Sequence, residues 1–224
     1  EIEKTIESHL GSSVHKALEW LYNQVKQKKI PSVEEIIMVY SESWNEEYDD
    51  EILIVKKNFT KEHYFNKGVE FLINYHTENY PFNDNTLEVE KEILINLDEN
   101  GEYKLRGFID RIAYNVQTDE YEVHDYKTSG TLPTDKDVEN DRQLALYAIA
   151  IKEIYGKEKN VKLVWHYLSF QKRIHSARTD KQLETLKENT LNLAKKINST
   201  ENFPPTKSSL CHWCEYKKIC PAWG

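Results

Sequence analysis

No run of about 18 apolar residues occurs in the 224-residue chain, so the sequence offers no helix able to span a bilayer. Nor is there a charged-then-apolar secretory leader, which sets the expectation of a cytoplasmic protein. Cysteine is scarce: three residues, all beyond position 210, do not make a secreted disulfide framework, although a single pairing among them stays open. Internal repeats, low-complexity tracts and linker-like stretches are absent as well. What remains is 39% hydrophobic and 30% charged, a composition that fits one globular domain.

A net charge of −8 speaks at first against a polyanionic partner. Its distribution weakens that objection. Residues 1–150 hold 16 Lys and Arg against 31 Asp and Glu, whereas residues 151–224 hold 14 against 7. A basic final third can hold phosphates; equally, Lys152, Lys157, Lys159, Lys162, Lys195 and Lys196 can simply solvate helices and loops.

Hydrophobic spacing predicts helices first and a sheet second. Leu10, Val14, Leu18, Leu21 and Val25 predict a helix over about Ile2–Lys29, Pro31-Ser32 restarts a second to about Tyr48, and a third covers about Val55–Tyr80. The aromatic series of the third (Phe59, Tyr64, Phe65, Phe71, Tyr75, Tyr80) reads as packing rather than base stacking. Strands follow at about Leu87–Leu97, Tyr103–Asn115 and Glu120–Thr128, the first two joined by the turn Asp98-Glu-Asn-Gly101. A helix over about Asp137–Tyr155, a buried strand over Val161–Phe170 and a helix over about Asp180–Asn198 complete the core. Ser129–Lys136 reads as a loop at the edge of the site, and Pro204-Pro205 introduces the cysteine segment.

The chemistry lies in the middle strands. In Glu122-Val-His-Asp-Tyr-Lys, residues two apart share a face, so Asp125 and Lys127 project together. Pairing with Leu105-Arg-Gly-Phe-Ile-Asp-Arg-Ile brings Asp110 beside Asp125. Two carboxylates suit a hard cation such as Mg2+ or Mn2+, which can acidify a water and neutralise phosphoryl charge, and Lys127 would orient that water or stabilise the transition state. The bland alternative is a strand-edge ion pair worth about 0 to 1 kcal/mol. Glu122 points to the opposite face from Asp125; Glu92 reaches the site only in a favourable register. Lys104, Arg106 and Arg111 are candidate phosphate contacts, or partners of glutamates on the neighbouring strand.

Four segments resemble the RecB-like branch of the PD-(D/E)xK nuclease superfamily. Gly11-Ser-Ser-Val-His15-Lys-Ala-Leu-Glu19 looks like its histidine helix, Gly107-Phe-Ile-Asp110 and Asp125-Tyr-Lys127 like its catalytic core, and Gln143-Leu-Ala-Leu-Tyr147 like its Q-x-x-x-Y motif. Cys211-His-Trp-Cys214 through Cys220-Pro resembles the cysteine cluster of the iron-sulfur members, namely the AddB-like and CRISPR-associated RecB-like exonucleases. The resemblance implies an α/β fold, a mixed sheet flanked by helices, with a helical region (1–80), a nuclease core (86–200) and a cysteine segment (203–224). It implies that His15, Asp110, Asp125 and the Tyr126 carbonyl hold Mg2+ or Mn2+, that Lys127 is catalytic, and that Gln143 and Tyr147 face the site. Without that resemblance, His15 reads as a partly buried helix histidine and Gln143 and Tyr147 as capping and packing residues.

Cys211, Cys214 and Cys220 would bind a [4Fe-4S] cluster whose fourth cysteine, upstream in the relatives, is absent from this chain; a preceding segment is therefore expected to be missing. Reduced buried thiols and a zinc site are the other readings. The implied activity is exonucleolytic hydrolysis of DNA ends or single strands in repair, recombination or CRISPR adaptation, alongside a helicase or CRISPR-adaptation proteins. The alternatives are a catalytically weak DNA-binding scaffold module and a restriction-type endonuclease.

Overall fold

The computed structural model of the protein describes residues 4–214 and 216–223. Three helices come first: α1 (Ile6–Lys26), α2 (Val33–Glu46) and α3 (Lys61–Asn79). Each starts where a hydroxyl side chain satisfies an otherwise orphaned backbone N–H: Thr5 accepts from Ser8, Ser32 from Glu35, and Thr60 from His63. That cap is why α3 begins at Lys61 and not near Val55 as its aromatic spacing suggested. Ile2, where the first helix was expected to start, lies outside the described residues.

The sheet has five strands, β1 (Thr86–Asn96), β2 (Lys104–Asn115), β3 (Glu120–Lys127), β4 (Asn160–Tyr167) and β5 (Lys172–Ala177), in that spatial order. β3 and β4 are parallel and the other neighbours antiparallel, so the sheet is mixed, as expected. Between β3 and β4 run α4 (Asp135–Glu139) and α5 (Gln143–Tyr155); α6 (Asp180–Asn198) follows β5. The single helix expected over Asp137–Tyr155 is broken at residues 140–142, where Asp141 Oδ1 accepts from Leu144 N at 3.0 Å just ahead of α5. β4 ends earlier than its apolar run, at a short 3-10 turn over Leu168–Phe170, and Gln171 in the left-handed region (φ +48°) reverses the chain into β5. β5 was not expected from the sequence, since Lys-Arg-Ile-His-Ser-Ala is a mostly exposed, polar edge strand.

Two apolar cores sandwich the sheet. One joins α1, α2 and α3 through Leu10, Leu18, Leu21, Tyr40, Trp44 and Phe71 and reaches Tyr126 of β3. The other packs α5 against Ile93, Ile95, Ile109, Ile112, Val123 and Leu163 and takes in Leu183 of α6. The buried aromatics Tyr64, Phe71 and Tyr75 confirm packing for much of the α3 series, while Phe59 and Tyr80 stay exposed.

The helical layer closes tightly over Gly68 of α3. A Cβ there would collide with the Tyr40 hydroxyl and lie 2.9 Å from Leu10 Cδ1. Gly68→Ala should therefore destabilise the protein by about 1 to 3 kcal/mol, read as a lowered midpoint in denaturant melts.

Candidate active site

Side-chain alternation breaks where β1 and β2 pass α1. Ile109 and Ile112 of β2 differ in parity yet pack into the same core, so the strand changes face between them. Its ladder with β3 runs from Asn115↔Glu120 to Arg111↔His124 and goes no further. Beyond that point Asp110 Oδ2 accepts from Tyr126 N at 2.8 Å, a side chain standing in for the missing strand carbonyl. On β1, Val89 packs toward the helical core and Ile93 toward the other, and Glu90 between them holds a left-handed φ of +47°. The opened strands leave room for polar groups beside His15 of α1.

His15 Nε2 lies 2.7 Å from Tyr126 O, and its Nδ1 lies 3.5 Å from Asp110 Oδ1. Glu90 joins them: one ligand atom each from His15, Glu90 and Asp110 fall within 4.8 Å of one another. From β3, Asp125 and Lys127 share a face as the two-residue spacing required, with Lys127 Nζ 2.8 Å from Asp125 Oδ2. That pair is close but poorly aligned, so Oδ2 lacks a properly directed hydrogen bond. Lys127 Nζ also donates to Gln143 Oε1 at 3.1 Å, and Gln143 Nε2 donates to Tyr147 Oη at 3.2 Å. Gly107 makes room for the Tyr147 ring, since a Cβ there would sit 2.9 Å from Tyr147 Cε1.

Burial alone would depress the His15 pKa. The hydrogen bond and charge of Asp110, with the Tyr126 carbonyl and the Asp125 charge, reverse this and push it up to about 9. Burial and then the charge of Asp110 push Asp125 up to about 6, against the pull of Lys127 and His15. Lys127 is raised, because Asp125 and Asp110 outweigh the cost of its burial, and so stays an ammonium. As a cation it can orient a water or screen negative charge, but it cannot take up a proton. The imidazole of His15 and the carboxylates of Glu90 and Asp110 suit a hard divalent cation, and the buried Oδ2 of Asp125, outside that group of three, keeps lone pairs that no aligned donor uses.

Arg111 corrects the sequence reading: it is buried away from any phosphate backbone and, among the described residues, pairs with no β1 glutamate. Its side chain is 1% exposed and donates from Nε to Tyr126 Oη at 2.9 Å, from the guanidinium to Asp84 and to Thr86 Oγ1 at 3.2 Å, and to His124 Nδ1 at 3.0 Å. It also lies 4.0 Å from the Tyr22 ring centroid. Because a guanidinium only donates, His124 Nδ1 is an acceptor, and His166 Nε2, 2.9 Å from it, carries the proton it shares. Burial and the neighbouring positive groups hold both histidines well below the usual range.

Arg106 pairs with Glu92 of β1 at 2.6 Å, which takes Glu92 away from the site, and Lys104 is exposed. Glu122 pairs with Lys162 at 3.0 Å, clear of Asp125. Cys211, Cys214 and Cys220 are free, half-buried thiols beside two 3-10 turns, Ser209–Trp213 and Lys217–Ile219. Cys211 Sγ accepts from Ser208 N at 3.3 Å, which lowers its thiol pKa. Among the described residues, the cysteines join no group of three gathered metal-ligating side chains.

Asp125 generates a stability prediction. Its folded pKa lies above that of an unfolded aspartate, about 3.9, so its contribution is fully present below pH 4 and is lost as pH rises through about 6. In EDTA at pH 8, Asp125→Asn should therefore melt several degrees above the wild type, and the decline in stability between about pH 4 and 6 should flatten. Calorimetric melts across that range check both.

Comparison with known proteins adds to this geometry. The sequence model of the PD-(D/E)XK nuclease superfamily matches residues 1–221. No curated protein matches. Among solved structures, the crystal structure of SSO0001 is similar at 20% identity, with a TM-score of 0.41 over 73% of this chain and 75% of that chain. Among the described residues no helix is long and apolar enough to cross a membrane. A family match over nearly the whole chain, on a mixed sheet that gathers carboxylates, a histidine and a lysine, leads to one conclusion: the chain belongs to the PD-(D/E)XK nuclease superfamily, whose members are nucleases that use divalent metals.

Proposed function

We propose that this domain is a Mg2+ or Mn2+ dependent deoxyribonuclease that hydrolyses phosphodiester bonds at DNA ends or in single strands, acting as an exonuclease of RecB type. The observation that carries the reading is the meeting of His15, Asp110, Asp125 and Lys127, from one helix and two strands, in one opening of the sheet. His15, Asp110, Asp125 and the Tyr126 carbonyl would hold the cation, which when bound neutralises phosphoryl charge and acidifies a water. Lys127, kept charged, orients that water and stabilises negative charge as it develops on the phosphate. Gln143 steers the Lys127 ammonium, and the Tyr147 hydroxyl holds Gln143 in turn.

The basic final third of the chain supplies charge for the phosphate backbone. Cys211, Cys214 and Cys220 would contribute three ligands to a [4Fe-4S] cluster. Repair, recombination or CRISPR adaptation in the cytoplasm, beside a helicase or CRISPR-adaptation proteins, is the setting consistent with the RecB-like motifs.

End-labelled linear single- and double-stranded DNA, incubated with Mn2+, Mg2+ or EDTA, tests the activity. The wild type should degrade DNA only with the metals, and Lys127→Ala and Asp125→Ala should each lose at least about a hundredfold in rate. Undiminished cleavage by either variant, or cleavage in EDTA, would sink the proposal. A second expectation concerns pH. The cation must displace the His15 proton, so affinity measured by titration calorimetry should rise about tenfold per pH unit from about 6 and level off above about 9. Calorimetry in buffers of different ionisation enthalpy should show proton release on binding.

A further inference from the structure

Three glutamates alternate along β1, and two of them are neutralised. Glu88 pairs with Lys26 at 3.1 Å and Lys91 at 3.8 Å, and Glu92 with Arg106 at 2.6 Å. Glu90, between them, has no ion-pair partner among the described residues. The register Val89↔Arg111 and Lys91↔Ile109 sets it opposite Asp110, and the left-handed φ of +47° turns it out of the strand's alternation. Glutamate has no intrinsic preference for that conformation, so the surrounding fold imposes it.

The charge around Glu90 also lacks balance. One ligand atom each from Glu90, Asp110 and His15 lies within 4.8 Å of the other two, so two carboxylates meet one imidazole there. Asp125, with a side chain 4% exposed, adds another carboxylate close to Asp110, and its Oδ2 lacks an aligned donor despite Lys127. Among the described residues, His15 and Lys127 stand against the carboxylates of Glu90, Asp110 and Asp125. A divalent cation resolves both the excess charge and the unspent lone pairs.

We infer that Glu90 is a further ligand of the cation held by His15, Asp110 and Asp125, so that β1 as well as β2 and β3 contributes to the metal centre. The inference rests on the metal-site reading above. It assigns to β1 a role outside the sequence motifs that mark the other ligands.

Mn2+ binding to the full chain, measured by calorimetry and by electron paramagnetic resonance of free Mn2+, tests this alongside melting temperatures in EDTA and in MnCl2. Glu90→Gln keeps the shape and removes the charge; it should bind Mn2+ about ten- to a hundredfold more weakly. Glu90→Gly also relieves the left-handed backbone. It should melt above the wild type in EDTA and show a smaller rise with MnCl2. If Glu90→Gln binds Mn2+ within twofold of the wild type while Asp110→Asn does not bind, the role of Glu90 is overturned and the rest of the site stands. If the wild type itself does not bind Mn2+, both readings fall.

Discussion

A guanidinium withdrawn from water is tolerated only if its surroundings meet every donor, because an uncompensated buried charge costs several kcal/mol. Arg111 is in that position, and its partners come from across the fold: Tyr22 from α1, Asp84 from the turn before β1, Thr86 from β1 itself, and His124 and Tyr126 from β3. Satisfying one cation therefore fixes where the helical layer meets the sheet. Tyr126 carries that constraint into the site. Its hydroxyl meets Arg111 and Tyr75, while its main chain offers N–H to Asp110 and carbonyl oxygen to His15. The buried network and the exposed chemistry are two sides of the same residue.

The site exists because the strands stop pairing. An uninterrupted ladder between β2 and β3 would spend the Tyr126 N–H and carbonyl on strand partners and alternate Asp110 strictly with its neighbours. The face change between Ile109 and Ile112 releases those groups, and the Asp110 carboxylate caps one of them. The opposite side of the opening is continuous: Asp125 pairs with Trp165 in an unbroken parallel ladder whose Val123, Leu163 and Trp165 sit in the apolar core. A continuous floor and an opened rim suit a centre that must hold charges close without collapsing onto itself.

The order of helices and strands was legible in the sequence because apolar spacing and caps are local signals. His15, Asp110, Asp125, Lys127, Gln143 and Tyr147 were legible as a set because short motifs carry them, and the structure brings them together. Glu90 was not. Three glutamates alternate identically along β1, and only a left-handed backbone, which the sequence does not announce, separates the one at the site from its paired neighbours. Arg111 was misjudged for a related reason: beside Asp110 it looks like a surface cation, and its burial depends on Tyr22 and Asp84, far away in sequence. β5 escaped notice because an exposed edge strand has one packed apolar residue, Ile174, and otherwise reads as loop.

The residues that gather at the opening stand at positions 15, 90, 110, 125 and 127, and Asp125 is buried only once β4, residues 160–167, has paired beside it. Chains are made from the N-terminus, at about 5 to 20 residues per second. The histidine helix thus emerges several seconds before any carboxylate partner, and β4, which pairs with β3 along its length, comes later still. A growing chain thus carries the histidine well before its carboxylate partners, and the parallel strand that flanks Asp125 is made after all of them.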